Sequence, residues 1–312
     1  MKTKNSTKPD NHKFKLKFWK TLFFLYVHTF IPWLFYIFYY LYCYPEEIHN
    51  FVILTIFSAI YAYSLAGLGV TAGAHRFWSH KSYKAKLPLR IFLAIAFDAS
   101  GQHDLISWVT DHRLHHKYSE TDADPHNARR GFFFSHIGWL CVKKHPEYLK
   151  KAPTVDLSDL YDDPVVVWER RLYYFTSFTT VVIIPIAIPY YLWSIPFWQC
   201  YFIAGIRYLV VMHITFAVNS AAHLWGSRPY DRNINPAEQD ICKWFMIGEF
   251  YHNFHHTFPR DYKASEWGWM QLNIAAMFIE LMALIGQAYD LQTTPRSVVV
   301  ARKKRTGEVT GN

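Results

Sequence analysis

The chain has 312 residues, 51% of them hydrophobic and 19% aromatic, with a formal net charge of +9. The apolar residues collect into four long runs instead of amphipathic stripes, which excludes an ordinary soluble domain or pair of domains. Its four cysteines, Cys43, Cys141, Cys200 and Cys242, contain no CxxC pair and exclude a disulfide scaffold.

The mean hydropathy of −0.04 conceals the runs, because very polar segments separate them. Residues 1–17 are Lys- and Asn-rich, lack a signal-peptide pattern and read as a disordered basic segment. The first span is predicted at Phe18–Tyr42 and the second at Phe51–Thr71, joined by an acidic link, Tyr44-Pro-Glu-Glu-Ile-His-Asn50. The third is predicted at Leu172–Trp193, with Pro185 and Pro189 inside it, and the fourth at Phe197–Val218. Each is long enough for a hydrocarbon core, which takes about 20 residues of helix. Cys43 and Cys200 fall near one membrane face and read as free thiols.

Two shorter apolar stretches, Leu87–Phe97 and about Trp269–Tyr289, read as helices at the interface or against the bundle. Of the 33 Lys and Arg residues, seven lie at or before Lys20, fifteen between the second and third spans, and ten after the fourth. The remaining one, Arg207, lies inside the fourth span and reads as structural, bonded to helix carbonyls. The two short links carry none, so the positive-inside rule puts both termini and the central segment in the cytosol. The expected organisation is a basic segment 1–17, a four-span membrane domain with a cytosolic cap over 18–292, and a basic tail over 293–312.

Three clusters hold 8 of the 17 histidines: His75-Arg-Phe-Trp-Ser-His80, His112-Arg-Leu-His-His116 and His252-Asn-Phe-His-His256. Positions i, i+3 and i+4 share one helical face, so each of the last two clusters can aim at a point. His75 and His80, five apart, require the helix to loosen where the second span ends. His223 at the end of the fourth span is a ninth candidate, and Asn219, one turn before it, can reach the same site directly or through water. Imidazole ligands suit Fe, Zn, Cu or Ni. A structural zinc takes four ligands, so nine imidazoles imply two metals. Metals of this kind beside a membrane point to oxygen chemistry on a lipid, because unactivated C–H bonds lie beyond side-chain acid–base catalysis. Asp111, Glu120, Asp122, Asp124 and Glu249 are the carboxylates within reach in sequence. Each taken singly reads as an exposed charge of the cap, the alternative being an acceptor for a ligand's second nitrogen.

Several stretches carry a family resemblance: residues 69–80 (Gly-Val-Thr-Ala-Gly-Ala-His-Arg-Phe-Trp-Ser-His), 108–127 around His112, Arg130-Gly-Phe-Phe-Phe-Ser-His-Ile-Gly-Trp139, Asn219-Ser-Ala-Ala-His-Leu-Trp-Gly226, Asn233-Ile-Asn-Pro236 and His252-Asn-Phe-His-His-Thr-Phe-Pro259. With these, Phe51 to Glu266 resembles the membrane acyl-CoA delta-9 desaturases, the stearoyl-CoA desaturase family.

The resemblance implies an all-α integral membrane protein of the endoplasmic reticulum, four transmembrane helices with a cytosolic helical cap around a histidine-rich di-iron site. It implies iron ligands His75, His80, His112, His115, His116, His223, His252, His255 and His256, with Asn219 holding a water. It implies a cis double bond placed in saturated C16 or C18 acyl-CoA with O2, and electrons passing from NAD(P)H through cytochrome b5. His145-Pro-Glu-Tyr lacks the haem-binding His-Pro-Gly-Gly pattern, so the cytochrome b5 and its reductase are expected as separate proteins. Gln102, Trp108 and Thr215 are implied at the bend of an acyl tunnel, Tyr63 and Gly67 at its methyl end, and Lys143 and Lys144 at the CoA phosphates, with Arg129 and Arg130 as weaker candidates. Thr110 stands where relatives usually have Arg, and Phe216 where they usually have Trp, a change expected to reshape the tunnel. A di-iron membrane hydroxylase and a zinc-binding lipid carrier or scaffold stand as alternatives.

Overall fold

The computed structural model describes residue 10 and residues 12–239, 247–268 and 272–308. The protein is mostly helical, with four candidate membrane-spanning helices among the described residues: Phe18–Cys43, Pro45–Ser79, Pro164–Trp193 and Phe197–Leu224. Large apolar side chains such as Trp19, Phe35, Tyr174 and Leu192 cover their outer faces, as expected where lipid is the solvent. The third span begins earlier than hydropathy indicates. Asp163 accepts a hydrogen bond from Val165 N at 2.9 Å and Pro164 fills the first helical position, a strong helix start that precedes the charged Glu169-Arg-Arg171.

The second span is α-helical over Ile48–Tyr61 and π-helical over Ala62–Gly67 and Gly69–Ser79. Gly69 permits close packing here: a Cβ on it would lie 2.1 Å from Phe97 N. That brings the helix Leu87–Asp98 flat against the π-helical stretch, with Leu93, Ala94 and Phe97 in the principal core. The apolar helix near the C-terminus is Ile274–Leu284, eleven residues, too short to span; Trp269, where it was predicted to begin, lies outside the described residues.

Arg207 occupies the fourth span for a definable reason. Pro185 has no N–H to give to the carbonyl of Val181, four residues back. Arg207 Nη2 donates to that oxygen at 2.8 Å, and its guanidinium lies 5.2 Å from the ring centre of Tyr61.

Two terminal segments are more ordered than their composition indicates. Lys17 N donates to Cys141 O at 2.7 Å and Lys143 N to Lys15 O at 2.8 Å, so the end of the segment predicted to be disordered pairs with the cap. The basic tail folds as a helix, Arg296–Thr306, because Arg302 pairs with Asp231 and Lys303 with Glu266. Lys84–Ala85 and Ala288–Tyr289 form a short antiparallel pair that hydropathy gives no sign of. Cys43, Cys141 and Cys200 are free thiols; Cys242 lies outside the described residues.

Candidate metal centre

The loosening required between His75 and His80 is the π-helix itself. Residues five apart on an α-helix point about 140° away from each other, whereas an i→i+5 ladder stacks them. His80 N donates to His75 O at 3.1 Å, and the two rings lie 4.9 Å apart.

The second cluster rides on the helix Leu105–Tyr118. Its start is fixed twice: Asp104 accepts from Ser107 N at 3.1 Å, and both carboxylate oxygens of the buried Glu169 lie 3.2 Å from Leu105 N. Arg113 then ties this helix to the first cluster, donating to Trp78 O at 2.6 Å and to Asp159 at 2.7 and 2.8 Å. The third cluster forms the helix His252–Thr257. Asn253 pins it by accepting from Tyr230 N at 2.8 Å and donating to Pro236 O at 2.9 Å.

These elements bring all nine histidines together in two sets. His75, His80, His112, His116 and His255 form one; His115, His223, His252 and His256 form the other, the ligand atoms of each lying within 4.8 Å of one another. Asn219 borders the adjoining cavity beside His115 and His252.

The donor chemistry fits metal ions. His75 Nδ1 lies 2.7 Å from Glu249, His223 Nδ1 2.7 Å from Glu120, and His115 Nδ1 3.0 Å from both oxygens of Asp124. A carboxylate accepts, so each of these Nδ1 atoms carries the proton and each Nε2 presents a bare lone pair. Those Nε2 atoms face other imidazoles: His75 to His255 at 2.9 Å, His223 to His252 at 2.9 Å, His115 to His256 at 3.3 Å. Burial, reinforced by neighbouring imidazoles, holds His80, His112, His116, His252, His255 and His256 well below the usual imidazole range. Neutral rings with converging lone pairs are the donor set that a metal ion requires.

Glu120, Asp124 and Glu249 correct the reading of these carboxylates as exposed charges: all three are largely buried and each orients a histidine. Burial raises the Glu249 carboxyl, but its bonds to His75 and to the Arg76 guanidinium outweigh it and hold it at about 2. Asp111 and Asp122 do serve the cap, pairing with Lys144 at 2.7 Å and Arg130 at 2.5 Å. His126 is buried beside Asp124 with its ring 4.2 Å from His115; standing alone in sequence, it gives no spacing signal. His28 of the first span, His213 of the fourth and His136 of the cap form a separate hydrogen-bonded row.

The orienting carboxylates have a measurable role. Glu120→Ala or Glu249→Ala frees the ring of His223 or His75, and metal affinity is expected to fall roughly 10–100-fold, read by competition with a chelator. The linkage sign is also defined. The six depressed histidines protonate in the unfolded chain near 6.5 but resist it when folded, so the unfolded state gains protons first. Metal-free protein is expected to lose stability as pH falls below about 6.5 and to change little above it, read by thermal denaturation in detergent.

A cavity of about 100 Å³ opens beside the imidazoles. Its lining follows the second span from Ala62 to His75 and the fourth from Val211 to Asn219, with Trp108 and Ile247 between. Tyr63, Gly67, Trp108 and Thr215 all border it. Gln102 supports the wall from behind, donating to Thr215 Oγ1 at 2.9 Å and accepting from Trp108 Nε1 at 3.1 Å. Phe216 does not reshape this space, contrary to expectation: it is buried on another face of its helix with Val27, Ile137 and Met212. Lys144 lies 4.6 Å from the ring centre of Trp139 and pairs with Asp111; Lys143 is exposed nearby. Arg130 is committed to Asp122 and Asp10.

Residues 48–265 match the family model described as fatty acid desaturase. The chain is 53% identical over 244 residues to acyl-CoA desaturase 1 of Tachysurus fulvidraco, covering 78% of this chain and 73% of that protein. It is 50% identical to stearoyl-CoA desaturase 5 of Homo sapiens, covering 82% and 77%, and 50% identical to stearoyl-CoA desaturase of Homo sapiens, covering 80% and 69%. A matched region that contains both imidazole sets and the cavity beside them leads to one conclusion: the chain belongs to the fatty acid desaturase family.

Proposed function

We propose that this protein is an acyl-CoA desaturase that places a cis double bond at the delta-9 position of saturated C16 and C18 acyl-CoA. The overall reaction takes acyl-CoA, O2, two electrons and two protons to the monounsaturated acyl-CoA and two waters. A separate cytochrome b5 and its NAD(P)H-dependent reductase supply the electrons, in the endoplasmic reticulum membrane with both termini cytosolic. The observation that supports this reading best is a cluster of nine convergent imidazoles that opens, through His75, His112, His115 and His252, onto an apolar cavity inside the spans.

The five-imidazole set would hold one iron and the four-imidazole set the other, with Asn219 offering its amide through a water. What the pair supplies when bound is activation of O2 for cleavage of unactivated C–H bonds. The remaining work belongs to the chain. An alkyl chain has no feature to recognise, so the site of desaturation is set by position alone. Gln102 fixes Trp108 and Thr215 to one another at the wall next to His112 and so defines where the acyl chain bends. Ala62, Val70, Ile214 and Val218 keep water out. Tyr63 and Gly67 meet the methyl end, and Lys143 and Lys144 take the CoA phosphates.

The test is reconstitution of the purified protein with stearoyl-CoA, NADH, cytochrome b5 and its reductase. Oleoyl-CoA formed with matching O2 consumption supports the proposal; a hydroxylated acyl-CoA contradicts it and identifies a hydroxylase.

A further inference from the structure

The row of three imidazoles outside the metal sets takes no part in the function proposed above. His28 Nδ1 lies 2.6 Å from Phe24 O, and His28 Nε2 lies 3.2 Å from His213 Nε2. His213 Nδ1 lies 2.9 Å from His136 Nε2, and His136 Nδ1 lies 2.8 Å from Ser220 Oγ. Ser220 Oγ is in turn 2.9 Å from Phe216 O. This row is built unlike the metal sets. There, Nε2 atoms face one another while His75, His115 and His223 turn Nδ1 to a carboxylate. Here, His213 and His136 engage both ring nitrogens along the row, and among the described residues the three rings do not converge on one point.

Hydrogen counting gives the row its chemistry. Both ends are carbonyl oxygens, which only accept. Its five contacts therefore need five hydrogens, whereas three neutral imidazoles and one hydroxyl carry four. Phe24 O fixes the hydrogen of neutral His28 on Nδ1. His213 then donates from Nε2, His136 from Nε2 and Ser220 from its hydroxyl. The contact left without a hydrogen is Ser220 to Phe216 O, an oxygen that Ser220 N already serves at 3.1 Å.

We propose that His28, His213 and His136 form a store for one proton, filled and emptied through Ser220 beside the metal centre. A proton arriving on Ser220 Oγ displaces the hydroxyl hydrogen to His136 Nδ1. The hydrogen of His136 Nε2 passes to His213 Nδ1, and that of His213 Nε2 passes to His28 Nε2. His28 ends as an imidazolium with both N–H groups bonded, and the Ser220 hydroxyl, carrying the new proton, turns to Phe216 O. Each N–H or O–H bond broken is matched by one formed, no electrons are transferred, and the reverse sequence returns the proton. Ser220 is fully buried and stands between Asn219, which borders the cavity, and His223, whose N–H donates to Ser220 O at 3.1 Å. The surroundings favour release. Phe132 and Phe216 pack on the His136 ring, and the charges that act on it among the described residues are those of His213 and His28. Burial, then the charge of His213, holds His136 down at about 4, so the stored proton is loosely held.

The purpose of the store rests on the desaturation reading above, whose reaction takes up two protons. The first test does not use activity. The metal-loaded, full-length protein, carrying isotope-labelled histidine in nanodiscs, is titrated by NMR, with the row assigned from His28→Gln, His136→Gln and His213→Leu. The three rings are expected to take up one proton between them at a single midpoint between about 4 and about 6.5, with His28 keeping its Nδ1 hydrogen throughout. In His213→Leu, His28 and His136 should titrate separately. Independent titration of the three rings in the parent overturns the proposal, and so does a row that stays neutral down to pH about 4. In turnover, His213→Leu is expected to lower kcat roughly tenfold with KM for stearoyl-CoA unchanged. Added imidazole should restore part of the loss, whereas pyrazole, of the same shape but a far weaker base, should not. Parental kcat, or equal rescue by pyrazole, reduces the row to packing and overturns the store. A parent that makes no monoene removes the desaturation reading, and the NMR titration then judges the store by itself.

Discussion

His255→Ala is expected to reduce desaturation to background and to lower bound metal from about two ions per chain to about one. His255 Nε2 lies 2.9 Å from His75 and 3.0 Å from His116, so it is central to the five-imidazole set. Alanine removes one lone pair from the centre of that set. The four-imidazole set is held by separate contacts, His115 with Asp124 and His223 with Glu120, so its ion should remain. Metal analysis of the purified variant beside product analysis provides the check. Parental turnover, or an unchanged metal content, would remove His255 from the ligand set.

The second large effect concerns chain length. Gly67 borders the cavity with Tyr63, and a Cβ placed there would meet Ile247 Cδ1 at 2.3 Å. The obstructing atom is the end of a flexible side chain, so alanine can be accommodated by rotation of Ile247. A larger residue cannot; it must displace Ile247 and take volume from the cavity. Gly67→Leu is therefore expected to raise the ratio of C16 to C18 products at least roughly tenfold, the discrimination one or two methylenes support in an apolar pocket. Competition between palmitoyl-CoA and stearoyl-CoA in one reaction measures it, and an unchanged ratio would place the end of the acyl chain elsewhere.

Much of this site was legible because its histidines obey local rules. His112, His115 and His116 share a helical face by spacing alone, and so do His252, His255 and His256. His80 required one further inference, that the helix loosens, and the backbone supplies it as a π-helix. The carboxylates were legible as residues but not as partners. Glu120 has a positive φ of 61° and reaches a histidine 103 positions away, at His223; no periodicity encodes that meeting. Glu249 meets Arg76 across a separation of 173 positions, and His75 beside it. The bonding of Gln102 to Thr215 and of Arg207 to Val181 has the same character, contact between segments whose relative placement hydropathy leaves open. That placement also explains Phe216: one residue beyond Thr215, it turns away from the cavity into the packing with the first span. The contacts at the ends of the chain are not encoded in composition: Arg302 and Lys303 find Asp231 and Glu266, and the backbone of Lys15 and Lys17 pairs with that of Lys143 and Cys141.

The most direct measurement is the fatty-acid profile of desaturase-deficient yeast expressing this chain. The account predicts new C16 and C18 monoenes with the double bond at carbon 9, lost on His255→Ala. Hydroxylated fatty acids in their place, or a correctly inserted protein that yields no monoene, would contradict it.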